Sequence, residues 1–96
     1  MSQYARGRRK EYEVQKTMRE RGLQVVRSAS SKGLWDVTAA GGGFTYLIQA
    51  KYTKAKKYYE DKNCKELREL EVGEGTKKEL WVYYFGNSTP EIISLD

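Results

Sequence analysis

Residues 8–21 contain neither glycine nor proline and are dominated by good helix formers. Val14 and Met18 lie four apart and share a helical face, and Glu11 continues that stripe toward the N-terminus. Gly22 stands where a helix would end on a left-handed residue. Beyond it the pattern becomes that of strands. Residues 23–27 centre on Val25 and Val26, and residues 28–33 are a small, polar loop. Residues 35–40 and 44–52 form two further strands, joined across Gly41, Gly42 and Gly43 as a hairpin. Residues 60–71 return to helical spacing, with Cys64, Leu67 and Leu70 inward. Residues 72–78 read as a glycine-rich loop, and 80–85 as an apolar strand suited to the middle of a sheet. Residues 91–95 form a short last strand after a turn at 87–90. The order α, β, β, β, α, β, β predicts an α/β fold, a mixed central β-sheet flanked by helices.

A chain of 96 residues makes one domain. Residues 2–10 are basic and polar. They read either as a mobile arm, with 1–7 outside the packed domain, or as the lead-in to the first helix. Lysine and arginine number 18 against 13 acidic residues, a net charge of +5. That balance favours an anionic partner, nucleic acid or an acidic membrane, unless it is only a solvated Lys/Glu-rich surface. No apolar stretch has the length of a membrane span, and no apolar run follows the basic N-terminus as in a signal peptide. The expectation is a cytoplasmic protein with no membrane partner. Cys64 is the one cysteine and histidine is absent, which excludes an intrachain disulfide, histidine-based triads and Cys/His zinc sites. A bound metal would be hard and oxygen-ligated: Mg²⁺, with Mn²⁺ as the alternative.

Side chains alternate along a strand, so Gln49 and Lys51 point the same way. With a two-residue Gly42-Gly43 turn, Gly41 faces Phe44, and counting outward sets Asp36 opposite Gln49. Cross-strand neighbours have Cβ atoms roughly 4.5–5.5 Å apart. Asp36, Gln49 and Lys51 would form one polar cluster, with Glu11 facing the sheet from the helix. Burying such groups unpaired costs kilocalories each. The plain alternative is that this face is solvated, while Phe44, Tyr46, Ile48, Ala50 and Tyr52 make the core on the other. The chemical alternative is a Mg²⁺ site. Asp36 and a second oxygen ligand would hold the metal, Glu11 would complete its shell, and Lys51 would neutralise charge on a phosphate under attack.

An ordered set of short stretches spans residues 7–54. These are Gly7-Arg8-Arg9-Lys10-Glu11, Gly22-Leu23-Gln24-Val25-Val26-Arg27-Ser28, Ser30-Ser31-Lys32, Asp36-Val37, and Tyr46-Leu47-Ile48-Gln49-Ala50-Lys51. In this order and spacing the set resembles the archaeal-type Holliday-junction resolvases, of the PD-(D/E)XK nuclease superfamily. The resemblance implies a restriction-endonuclease-like fold, a homodimer, and Mg²⁺-dependent endonucleolytic cleavage of a DNA four-way junction. By the same resemblance the catalytic residues are Glu11, Asp36, Gln49, Lys51 and a loop serine, Ser31. The metal ligands implied are Asp36, Gln49, Glu11 and Ala50. Arg27, Ser30 and Lys32 fall at positions linked to DNA binding. Two departures stand out: the family carries glutamate where this chain has Gln49, and Leu34-Trp35 lengthens the loop before Asp36 by about two residues. A neutral amide oxygen still ligates Mg²⁺, with lower affinity. Mrr-type restriction nucleases are similar in carrying a Gln-x-Lys here.

Two basic runs flank this constellation: Arg8, Arg9 and Lys10 before Glu11, and Lys54, Lys56 and Lys57 after Lys51. Both are expected at one edge of the sheet, as phosphate contacts that position DNA without reading its sequence. Two other functions fit the same residues: an Mrr-like or repair endonuclease acting on duplex DNA, and a catalytically silent junction- or DNA-binding protein.

Overall fold

The computed structural model describes residues 3–27, 34–58 and 60–96, with side chains from Arg9 onward except that of Arg27. Helix α1 runs Gln3–Glu20, so the basic N-terminal residues lead into the helix. It ends on a two-bond cap: Gly22 N–H reaches Arg19 O at 2.9 Å and Leu23 N–H reaches Met18 O at 3.2 Å. That arrangement requires the left-handed φ of +86° found at Gly22.

Strands β1 (Gln24–Arg27), β2 (Val37–Gly41) and β3 (Phe44–Thr53) form an antiparallel meander. The β2–β3 turn has Gly42 and Gly43 at φ +62° and +86°, the paired positive values of a type I′ hairpin. Gly41 faces Phe44 as the spacing predicts, and the ladder runs to Val37 opposite Ile48. Helix α2 (Lys62–Glu69) then carries the chain over to β4 (Thr76–Tyr84), which pairs parallel with β3. Strand β5 (Glu91–Ser94) closes the sheet as an edge, giving the order β1-β2-β3-β4-β5. A mixed α/β sheet was the expected architecture.

The start of β4 departs from the sequence reading, which put 72–78 in a loop. Residues 76–79 are polar, yet they continue the parallel ladder from Thr45 opposite Thr76. Lys78 explains how a charged residue is accommodated there. Its ammonium is buried and donates to Arg68 O at 2.6 Å and Leu70 O at 2.9 Å. It thereby satisfies carbonyls that α2 leaves unpaired at its C-terminus.

The two sheet faces carry separate cores. On one, Val14 and Met18 of α1 pack with Val37, Ala39, Ile48, Ala50, Trp81 and Tyr83. On the other, Cys64 and Leu67 of α2 pack with Leu80, Val82 and Leu95. Leu34 and Trp35 pack against this second core. No helix among the described residues is long and apolar enough to cross a membrane.

Candidate active site

The start of β2 is where the candidate chemistry begins. Odd-numbered residues of β3 turn their backbone groups toward β4: Thr45 N–H bonds Gly75 O at 2.8 Å, and Thr53 O accepts from Phe85 N–H at 2.9 Å. Even-numbered residues therefore turn theirs toward β2. At Ala50 the ladder has already ended, and the Asp36 side chain takes the place of a strand carbonyl. Its Oδ2 accepts the Ala50 N–H at 2.9 Å, while the Asp36 N–H bonds Ile48 O at 2.9 Å. The Ala50 carbonyl faces the same side as its N–H. The Asp36 carboxylate and the Ala50 carbonyl thus lie on the same side of β3, beside the start of β2.

Gln49 and Lys51 face the α2 layer, as alternation requires, but each is engaged by a partner. Gln49 is 2% exposed, and its Oε1 accepts the Cys64 thiol at 2.8 Å. Lys51 Nζ lies 3.3 Å from Asp61 Oδ2, with the lysine side chain 27% exposed. Asp61 is also the N-cap of α2, its Oδ1 accepting Cys64 N–H at 2.9 Å. Burial alone would raise the Asp61 pKa. The bonds from Cys64 and the charge of Lys51 outweigh it and hold the carboxyl below its ordinary value. Burial pushes the Cys64 thiol up to about 11, so it acts as a neutral donor.

The single polar cluster expected of Asp36, Gln49 and Lys51 is therefore organised as three partnered groups along one edge. Glu11 is half-buried on α1, the helix packed on the opposite sheet face. Among the described residues no three Asp, Glu, Cys or His side chains gather into a metal-ligating group. Sequence reasoning missed Asp61 and the role of Cys64. An aspartate directly before a helical run was the available signal for the first. Nothing local signalled the second.

Of the basic residues, Arg9, Lys54, Lys56 and Lys57 are exposed. Lys10 is partly buried, paired with Glu13 Oε2 at 3.3 Å and lying 5.0 Å from the centre of the Tyr83 ring. Ser30, Ser31 and Lys32 lie outside the described residues, as do the side chains of Arg8 and Arg27.

A two-helix mixed sheet with an acid at the start of β2 and a Gln-x-Lys on β3 has the fold of the PD-(D/E)XK nucleases. Residues 2–77 match the family model described as archaeal Holliday junction resolvase (hjc). The chain belongs to that family. A solved structure of Archaeoglobus fulgidus Hjc, a Holliday junction resolvase from an archaeal hyperthermophile, superposes with a TM-score of 0.75. The two chains are 18% identical, and the match covers 94% of this chain and 73% of the other. No curated protein matches.

Proposed function

We propose that this protein is a metal-dependent endonuclease that cleaves four-way DNA junctions, acting as a homodimer. The observation that carries the proposal is the Asp36 carboxylate fixed on the Ala50 N–H, on the side of β3 that the Ala50 carbonyl also faces, with Lys51 the next residue along the strand. Membership of the resolvase family supplies the substrate class.

The donors fit a hard divalent cation. Mg²⁺ commonly takes one or two carboxylates and keeps several waters, so Asp36 and the Ala50 carbonyl suffice as protein ligands. Gln49 contributes less than a glutamate would, because its Oε1 is turned to Cys64. The bound ion would activate water and stabilise charge on the scissile phosphate. Ala50 N–H orients the Asp36 carboxylate. Lys51, held by Asp61, presents a positive charge toward the phosphate. Glu11, midway along α1, would complete the metal shell through water. The exposed cations Arg9, Lys54, Lys56 and Lys57 hold the backbone without reading bases. Arg8, Arg27, Ser30, Ser31 and Lys32 are assigned to the same interface through the resemblance. Two symmetric nicks require two sites related by a two-fold axis.

One observation favours a second reading, a junction-binding protein that does not cut. Gln49 is neutral, buried and committed to Cys64. Incubating purified protein with end-labelled junction, duplex and single strands, with Mg²⁺ or with excess chelator, separates the readings. Cleavage of the junction alone, and only with Mg²⁺, is expected. Tight junction binding without cleavage at any metal concentration supports the silent binder, and cleavage in chelator removes the metal.

A further inference from the structure

The turn between β4 and β5 stands between two cationic clefts. One is lined by Arg9, Lys10, Tyr52 and Phe85, the other by Lys56, Lys57, Tyr58 and Glu91. Tyr84 and Asn87 line both, so the turn is the wall dividing them. At its start Phe85 is 68% exposed, the most exposed large apolar residue among those described.

Phe85 is held in this position by the backbone around it. Its N–H donates to Thr53 O at 2.9 Å, tying it to the end of β3. Asn87 N–H closes the turn on Tyr84 O at 3.0 Å. Gly86, third in that turn, has φ +86°, which a type II turn demands and glycine supplies. The ring is thus presented on a stiff support at the end of the sheet that carries Lys51.

We propose that Phe85 is a stacking wedge for an unpaired or unstacked base at the branch point of the DNA, with the two clefts taking the phosphate backbones of two diverging arms. The inference rests on the reading that DNA is the partner. Each part follows from chemistry. Exposed Arg9 on one side and Lys56 and Lys57 on the other attract phosphates. An aromatic face binds any base, and inserted apolar side chains unstack base steps. Linear duplex offers one continuous path of stacked pairs. A branch point offers two diverging backbones and a step that opens at low cost, which matches a wedge between two troughs. A second copy of this chain is a poorer occupant, because it would set cationic clefts against cationic surface. Among the described residues, Glu13 pairs with Lys10, and Glu91 Oε1 accepts the Tyr84 hydroxyl at 3.0 Å.

The test uses a synthetic four-way junction with 2-aminopurine at the branch point, in excess chelator, together with a linear duplex of the same sequence. Wild-type protein should change the 2-aminopurine emission on binding. Phe85→Ala should abolish that change and weaken junction affinity on the order of tenfold, leaving duplex affinity unaltered. Phe85→Trp should keep both properties. Phe85→Leu, apolar but without a π face, should keep part of the emission change, because an inserted apolar side chain still unstacks the step, and lose the stacking contribution to affinity. Junction preference that survives Phe85→Ala with an unchanged emission response overturns the wedge while leaving DNA as the partner. A lower sedimentation mass for Phe85→Ala overturns it in favour of self-association. Failure of wild-type protein to prefer junction over duplex overturns both the wedge and the substrate reading beneath it.

Discussion

The Cys64 thiol on α2 donates to the amide oxygen of Gln49 on β3 at 2.8 Å, and both side chains are buried. This bond fixes the orientation of the Gln49 amide, and it joins the helix to the strand that carries Lys51. Cys64→Ala should destabilise the protein by roughly 1–3 kcal/mol, the cost of leaving a buried acceptor unmade. Cys64→Ser should retain most of the stability. Adding Gln49→Met to Cys64→Ala should cost less than the two single changes together, since both polar partners are then gone. Urea denaturation of the four forms measures the coupling. Additive costs would mean that the bond does not contribute.

Asp61 performs two tasks, capping α2 and pairing with Lys51. Asparagine caps a helix as well as aspartate does but carries no charge. Asp61→Ala should lose about 1 kcal/mol of stability, and Asp61→Asn much less. Both should lower cleavage if Lys51 must be held in place. The pH dependence has a definite sign. A carboxyl whose folded pKa is depressed stabilises the fold above its unfolded value and loses that contribution as pH falls through the folded one. For Asp61 the loss should lie below its ordinary value of 3.8. Denaturation midpoints that respond to acid equally in wild type and Asp61→Asn would contradict this assignment.

Much of this arrangement was readable along the chain. The Gly42-Gly43 pair dictated a two-residue turn, and with it the register that brings Asp36 beside β3. Gly22 announced the end of α1, and the Val14–Met18 stripe its buried face. The polar residues of β4 were harder to read. Lys78 belongs in a strand only because two carbonyls at the end of α2 receive its ammonium, a contact between elements that no local pattern encodes. The same holds for Cys64 and Gln49, fifteen positions apart, whose meeting depends on how α2 sits on the sheet. Asp36 was placed opposite Gln49, but the use of its carboxylate as a backbone acceptor follows from where the ladder stops.

Lys78 gives a third prediction. Lys78→Ala removes two hydrogen bonds from a buried ammonium to the last carbonyls of α2. The expected loss is about 2 kcal/mol, in the range for bonds to charged groups. Hydrogen exchange should show α2 opening before the sheet. Lys78→Met, which keeps most of the apolar stem, should lose less than the alanine variant through packing. A variant as stable as wild type would mean that water replaces the ammonium without cost.

The central claim is that Asp36, seated on the Ala50 N–H, supplies the carboxylate for junction cleavage. Asp36→Asn keeps a side-chain oxygen for the Ala50 N–H but removes the charge, so the fold and junction affinity in chelator should change little. Single-turnover cleavage of a labelled four-way junction in Mg²⁺ compares the two proteins directly. The account predicts cutting by wild type and a rate at least on the order of a hundredfold lower for Asp36→Asn, equivalent to roughly 2.7 kcal/mol of lost transition-state stabilisation. An Asp36→Asn protein that binds and cuts the junction at the wild-type rate would contradict it.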